Sequence, residues 1–145
     1  MKHFWLLLTG LFFTAALAAQ NAAADSAFVR DNFDKREVMI PMRDGIQLFT
    51  AIYTPKDRSK KYPILMKRTP YSCSPYGTAS YPTTFQNMNL ARAGYIFVFQ
   101  DVRGKYMSEG DFVDVRPYNP ATAKKPKTSG KVPIDEASDT YDTVE

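Results

Sequence analysis

Tyr95-Ile96-Phe97-Val98-Phe99 sets five apolar residues in a row, aromatic and β-branched by turns, and Gln100-Asp101-Val102-Arg103-Gly104 follows directly. A strand with one face in water alternates apolar and polar residues, so an unbroken apolar run suits a strand of a parallel sheet covered on both faces. Immediately upstream, Phe85 to Arg92 carries Phe85, Met88 and Ala91 at helical spacing, and Gly94 stands where a helix terminator belongs. Further upstream, Pro63 to Arg68 reads as a short, mostly apolar strand halted by Thr69-Pro70. Strand, helix and strand in that order predict a right-handed crossover and a parallel pair.

The chain before this unit predicts a hairpin. Glu37 to Pro41 and Ile46 to Tyr53 are extended stretches flanking Met42-Arg43-Asp44-Gly45, and Asp44-Gly45 is a tight-turn signal because glycine accepts positive φ. Lys56 to Lys61 is a charged connection, and Tyr71 to Thr83 is a Ser-, Pro-, Tyr- and Gly-rich loop long enough to serve a site. Beyond the apolar strand, the Pro- and Lys-rich stretch from Pro117 to Pro133 is expected to be exposed and mobile. Ser138 is then an N-cap candidate for a helix with acidic residues in its first turn. This order is an α/β fold of the α/β-hydrolase type: an antiparallel hairpin leads into a parallel sheet with a crossover helix. The next elements would be a strand and the nucleophile elbow. The chain is expected to stop before that elbow, leaving the Tyr95 to Phe99 strand without one neighbour.

The 145 residues suffice for one modest domain. Lys2 followed by the apolar run from Phe4 to Ala19 reads as an export signal over residues 1–24, with cleavage sites of the A-x-A type after Ala18 and after Ala24. Residues 25–36 then form a polar leader, residues 37–145 the partial domain, and the product is periplasmic or secreted with no stable membrane anchor. His3 is the sole histidine and would leave with the signal, so the mature piece has no imidazole for a Ser-His-Asp or Cys-His relay. Cys73 is the sole cysteine, which excludes an internal disulfide and makes an incidental loop residue a better reading than a nucleophile. The net charge of +4 is scattered, without a basic run interleaved with aromatics, so no nucleic-acid partner is expected. No cofactor or metal is expected either. Asp135, Glu136, Asp139 and Asp142 suit a helix start, and their spacing matches no calcium loop.

Five segments carry a resemblance. They are Met42-Arg43-Asp44-Gly45 with Leu48-Phe49-Thr50; Arg68-Thr69-Pro70-Tyr71; Ala93-Gly94-Tyr95 through Phe99 to Tyr106; Ser108-Glu109-Gly110-Asp111-Phe112; and Asp139-Thr140-Tyr141-Asp142-Thr143. In this order they resemble the cocaine esterase and X-Pro dipeptidyl-peptidase group of serine hydrolases, and within it the α-amino acid ester hydrolases and glutaryl-7-ACA acylase-like proteins. The resemblance implies acyl transfer by a serine, a histidine and an aspartate, all three lying beyond Glu145. It implies a small-molecule ester, amide or peptide substrate, leaves homo-oligomerisation open, and makes the fragment inactive alone. An exported, non-enzymatic binding module is the alternative of another class.

One functional residue of the family maps onto this chain. The resemblance makes Tyr71 an oxyanion-hole donor, on the loop after the third strand that supplies such a donor in this fold. A donor preorganised on the developing oxyanion is worth about 3 kcal/mol, roughly two orders of magnitude in rate. Asp101 and Arg103, at a strand end on the active-site face, read better as an ion pair or loop-shaping hydrogen bonds than as substrate ligands. Tyr76, Tyr81 and Phe85 either line an acyl pocket or cover the core beneath the loop.

Overall fold

A computed structural model describes residues 20–114, 116–123 and 133–145. Its elements are a helix over residues 20–32 (α1), β1 (Phe33–Pro41), β2 (Gln47–Pro55), β3 (Ile64–Thr69), α2 (Met88–Arg92), β4 (Ile96–Asp101), a 3-10 turn at Pro120–Thr122 and α3 (Glu136–Val144). The strands form one sheet in the order β1-β2-β4-β3. β1 and β2 pair antiparallel, β2 and β4 antiparallel, and β3 and β4 parallel, so the hairpin and the crossover both form as expected.

The interleaved order changes which edge is open. β4 was expected to lack a neighbour, but it lies between β2 and β3 and is paired on both sides. The free edge beyond the crossover belongs to β3, where Ile64 and Leu65 are exposed. β2 sits equally deep: Leu48, Phe49, Thr50 and Ala51 are all buried, so its alternating sequence is covered on both faces.

The two faces are packed by different chemistry. On one, Phe85 is the hub of an aromatic core, stacked on Phe97 at 4.3 Å between centroids and meeting Phe33 and Tyr53 edge-on at 5.2 Å each. Phe85 therefore precedes the helix instead of opening it. α2 begins only at Met88, capped by the Asn87 side chain, which accepts from the Asn89 and Leu90 amides. Gly94, at φ +88, ends α2, and a Cβ there would meet the Tyr62 ring at 2.6 Å. On the other face α3 lies through polar residues, Thr143 bonding the Gln100 side chain and Arg68 reaching Glu136 and Thr140.

The ends of several elements differ from expectation for local reasons. β1 starts at Phe33, not Glu37, because Phe33 and Lys35 are buried on the inward face. The leader before it is helical to Asn32, with Val29 fully buried and Asp25 paired to Arg92 at 2.6 Å. The cleavage site after Ala24 falls within this helix, and the one after Ala18 lies outside the described residues. α3 is capped by Asp135, three residues before the expected Ser138. Ser138 instead occupies N3 and returns a bond to the cap, a reciprocal capping box. Within the Pro- and Lys-rich stretch, residues 124–132 lie outside the description, whereas Thr122 is buried and bonds the Asp135 carboxylate. No helix among the described residues is long and apolar enough to cross a membrane.

Because Phe85 touches four rings, Phe85→Ala removes more than one contact. It should lower the unfolding free energy by about 3–5 kcal/mol, and Phe85→Leu by less, measured as the shift of the urea midpoint.

Candidate active site

β3 and β4 run parallel with Thr69 opposite Asp101, so their C-terminal ends lie side by side. The long loop leaves from this point. Thr69 Oγ1 accepts the Tyr71 amide at 3.0 Å, and Ser72 follows at φ 76, a left-handed conformation that costs a non-glycine residue energy. The reversal separates two neighbours. Tyr71 is 85% exposed, its hydroxyl without a partner among the described residues, while Cys73 turns into the core.

What holds the reversal is a buried carboxylate. Asp101 is fully buried; its Oδ1 accepts the Cys73 amide at 2.8 Å and its Oδ2 the Tyr76 hydroxyl at 2.8 Å. With the Tyr76 proton committed to Asp101, Ser72 Oγ is the donor in its 2.9 Å contact with Tyr76, and it accepts the Ser74 amide at 3.1 Å. Burial pushes the Tyr76 phenol up to about 12. Burial, followed by the nearby Asp101 charge, likewise pushes the Cys73 thiol up to about 12, so it is protonated at neutral pH and unsuited to nucleophilic attack. Asp101 thus shapes the loop, as the sequence favoured over a substrate role.

The same residue ties in a second loop. The Asp101 carbonyl accepts Ser108 Oγ at 2.6 Å, and Ser108 Oγ accepts the Phe49 amide at 2.9 Å. Glu109 accepts the Gln47 amide at 2.9 Å. Ser108 and Glu109 therefore extend the pairing of β2 where β4 has ended.

Arg103, also buried, forms the expected ion pair, and forms it twice. Its guanidinium donates to Asp139 at 2.7 and 3.1 Å and to Asp44 at 2.8 and 3.2 Å, joining α3 to the hairpin turn. Burial works against the charge, but the hydrogen bonds to the two carboxylates outweigh it and raise the Arg103 pKa. Asp142 pairs with Arg43, and Asp135 accepts the amides of Asn119 and Ser138. The acidic residues at α3 are thus engaged by arginines and by the helix cap. Tyr76, Tyr81 and Phe85 cover the core: Tyr81 lies edge-on to Tyr53 at 6.1 Å and Tyr76 edge-on to Phe49 at 5.2 Å. Phe85 also reaches a cleft of about 180 Å³ beneath the loop, beside Ser72, Ser74 and Lys67.

Tyr71 accordingly stands as an exposed donor at the strand ends, its hydroxyl without a partner among the described residues. The described residues contain no histidine, since His3 lies outside them, and supply no serine-histidine relay.

The sequence profile of the X-Pro dipeptidyl-peptidase (S15 family) matches residues 44–145. Cocaine esterase from Rhodococcus sp. (strain MB1 Bresler) is 40% identical over 77 residues, 52% of this chain and 13% of the esterase. Among solved structures, an α-amino acid ester hydrolase superposes with a TM-score of 0.58 at 40% identity, over 78% of this chain and 18% of its own. An aminopeptidase from the marine sediment archaeon Thaumarchaeota archaeon gives 0.59 at 37% identity, with the same coverage. The chain thus spans under a fifth of the length of these relatives, and the sheet is the N-terminal part of their α/β-hydrolase fold.

The matched span includes both carboxylates that hold Arg103. Arg103→Met should cost about 3–5 kcal/mol in urea denaturation by stranding buried Asp139. Arg58→Met, at the exposed Arg58–Asp34 pair, should cost under about 1 kcal/mol.

Proposed function

This chain belongs to the X-Pro dipeptidyl-peptidase (S15) family, and from that membership we propose that it opens an exported serine hydrolase of esters or amides in which Tyr71 donates one hydrogen bond to the oxyanion. The observation that carries this reading is the Tyr71 hydroxyl: exposed, without a partner among the described residues, and borne on a loop tied down at the C-terminal ends of β3 and β4. In open α/β sheets that end of the strands is where ligands bind.

The mechanism follows from the charge that acyl transfer develops. Attack of a serine on a carbonyl turns the carbonyl oxygen into an oxyanion, and a donor already in place stabilises it without reorganisation. The Tyr71 hydroxyl is a donor that no side chain or carbonyl among the described residues engages. The residue after the nucleophile would supply the second donor through its backbone amide. The serine, its histidine and the orienting aspartate would come from chain beyond residue 145, and these residues alone should show no turnover.

Esters or amides of amino acids and β-lactam-type acyl compounds are the substrate class we favour, since the relatives include an α-amino acid ester hydrolase and an aminopeptidase. Removal of X-Pro dipeptides is the nearest alternative. Lys2 and the apolar residues Phe4 to Ala19 support export to the periplasm or beyond.

In the complete protein, Tyr71→Phe should lower kcat for an α-amino acid methyl ester about 100-fold and leave KM within about twofold. Unchanged kcat would remove Tyr71 from the oxyanion hole. A complete protein that neither turns over esters nor reacts with a fluorophosphonate would be a binding module instead.

A further inference from the structure

The loop that carries Tyr71 is gripped at a second place, far from Asp101 in sequence. Lys35 lies on β1, opposite Tyr53, and its side chain is fully buried. A buried ammonium is retained only where it is fully paired, because its desolvation is costly. Here its three donors go to three carbonyls of one loop: Pro75 at 2.5 Å, Gly77 at 2.9 Å and Ser80 at 3.0 Å. Glu37 Oε1 stands 2.7 Å from Nζ, yet is left without a hydrogen bond, so this contact is an ion pair that balances charge and takes no donor from the loop. The Lys35 amide also donates to the Tyr81 hydroxyl at 3.1 Å.

We infer that Lys35 is a positioning residue for Tyr71, its ammonium acting as a built-in structural cation around which residues 75–81 fold. The grip reaches Tyr71 in short steps. Pro75 precedes Tyr76, the Tyr76 hydroxyl receives the Ser72 hydroxyl and donates to Asp101, and Ser72 adjoins Tyr71. The loop has no ladder of its own from residue 70 to 87. Lys35 at one end and Asp101 at the other replace such a ladder with charge-assisted bonds, which are stronger than neutral ones. A methionine of similar length would fill the space and take from three part-buried carbonyls the one donor they share.

This inference rests on the oxyanion role of Tyr71, and two separate readouts test it in the complete protein. In Lys35→Met, amide hydrogen exchange of peptides covering 71–81 should quicken about tenfold or more while the β2 and β4 peptides stay unchanged. Its kcat should fall with KM little altered, and adding Tyr71→Phe should cause little further loss. Tyr81→Phe, a milder change that removes only the acceptor of the Lys35 amide, should quicken exchange near residue 81 by a smaller factor. Unchanged loop exchange in both variants would overturn the role. So would a loosened loop with wild-type kcat in a protein whose Tyr71→Phe variant is impaired, or full additivity of the two losses. If Tyr71→Phe alone has no effect, the oxyanion reading fails, and loop exchange still decides whether Lys35 holds the loop.

Discussion

Asp101 is a carboxylate with no access to water, and an ion in that position must find donors within the protein. It finds them in the Cys73 amide, the Tyr76 hydroxyl and, at 3.4 Å, the Met107 amide, while its backbone carbonyl accepts Ser108 Oγ. Two long loops without secondary structure thereby acquire fixed geometry at the end of a central strand. The need to satisfy one buried charge brings the reversal at Ser72 into being, and with it the outward placement of Tyr71.

The opposite face of the sheet obeys the same rule on a larger scale. Arg103 between Asp44 and Asp139, Arg43 on Asp142, and Arg68 on Gln100 and Glu136 join the hairpin turn, β3, β4 and α3. A seam of this kind contributes less net stability than apolar packing of equal size, because each ion surrenders its hydration. Its effect is on uniqueness: a shifted α3 would strand at least one buried charge. The aromatic core around Phe85 supplies the apolar burial on the other face.

Much of this architecture was legible in the sequence. The unbroken apolar run of β4, the Asp44-Gly45 turn and the Gly94 terminator each fix a local geometry, and together they specify a hairpin followed by a parallel crossover. What the sequence concealed was tertiary. β4 inserts between β2 and β3, which no local pattern records, so the open edge lies on β3. Lys35 looked like part of a polar leader, because a buried lysine is distinguishable from an exposed one only by the carbonyls that surround it. Phe85 looked helical at its spacing, but its ring is claimed by Phe97. The segments of the family resemblance read as separate words; in the fold, Arg68, Gln100, Arg103, Asp139 and Thr143, from three of the five, make a single network. The exposure of Tyr71 depends on the left-handed Ser72, and serine is not a residue that advertises that conformation.

The oxyanion role requires the fixed loop to present the Tyr71 hydroxyl to developing negative charge. A crystal structure of the complete protein with a boronic acid or phosphonate adduct at its nucleophile tests this most directly. The Tyr71 hydroxyl should lie about 2.7–3.1 Å from the oxygen that mimics the oxyanion, with residues 71–81 arranged as they are here. An adduct oxygen held entirely by other donors, with Tyr71 turned to solvent, would remove Tyr71 from the oxyanion hole.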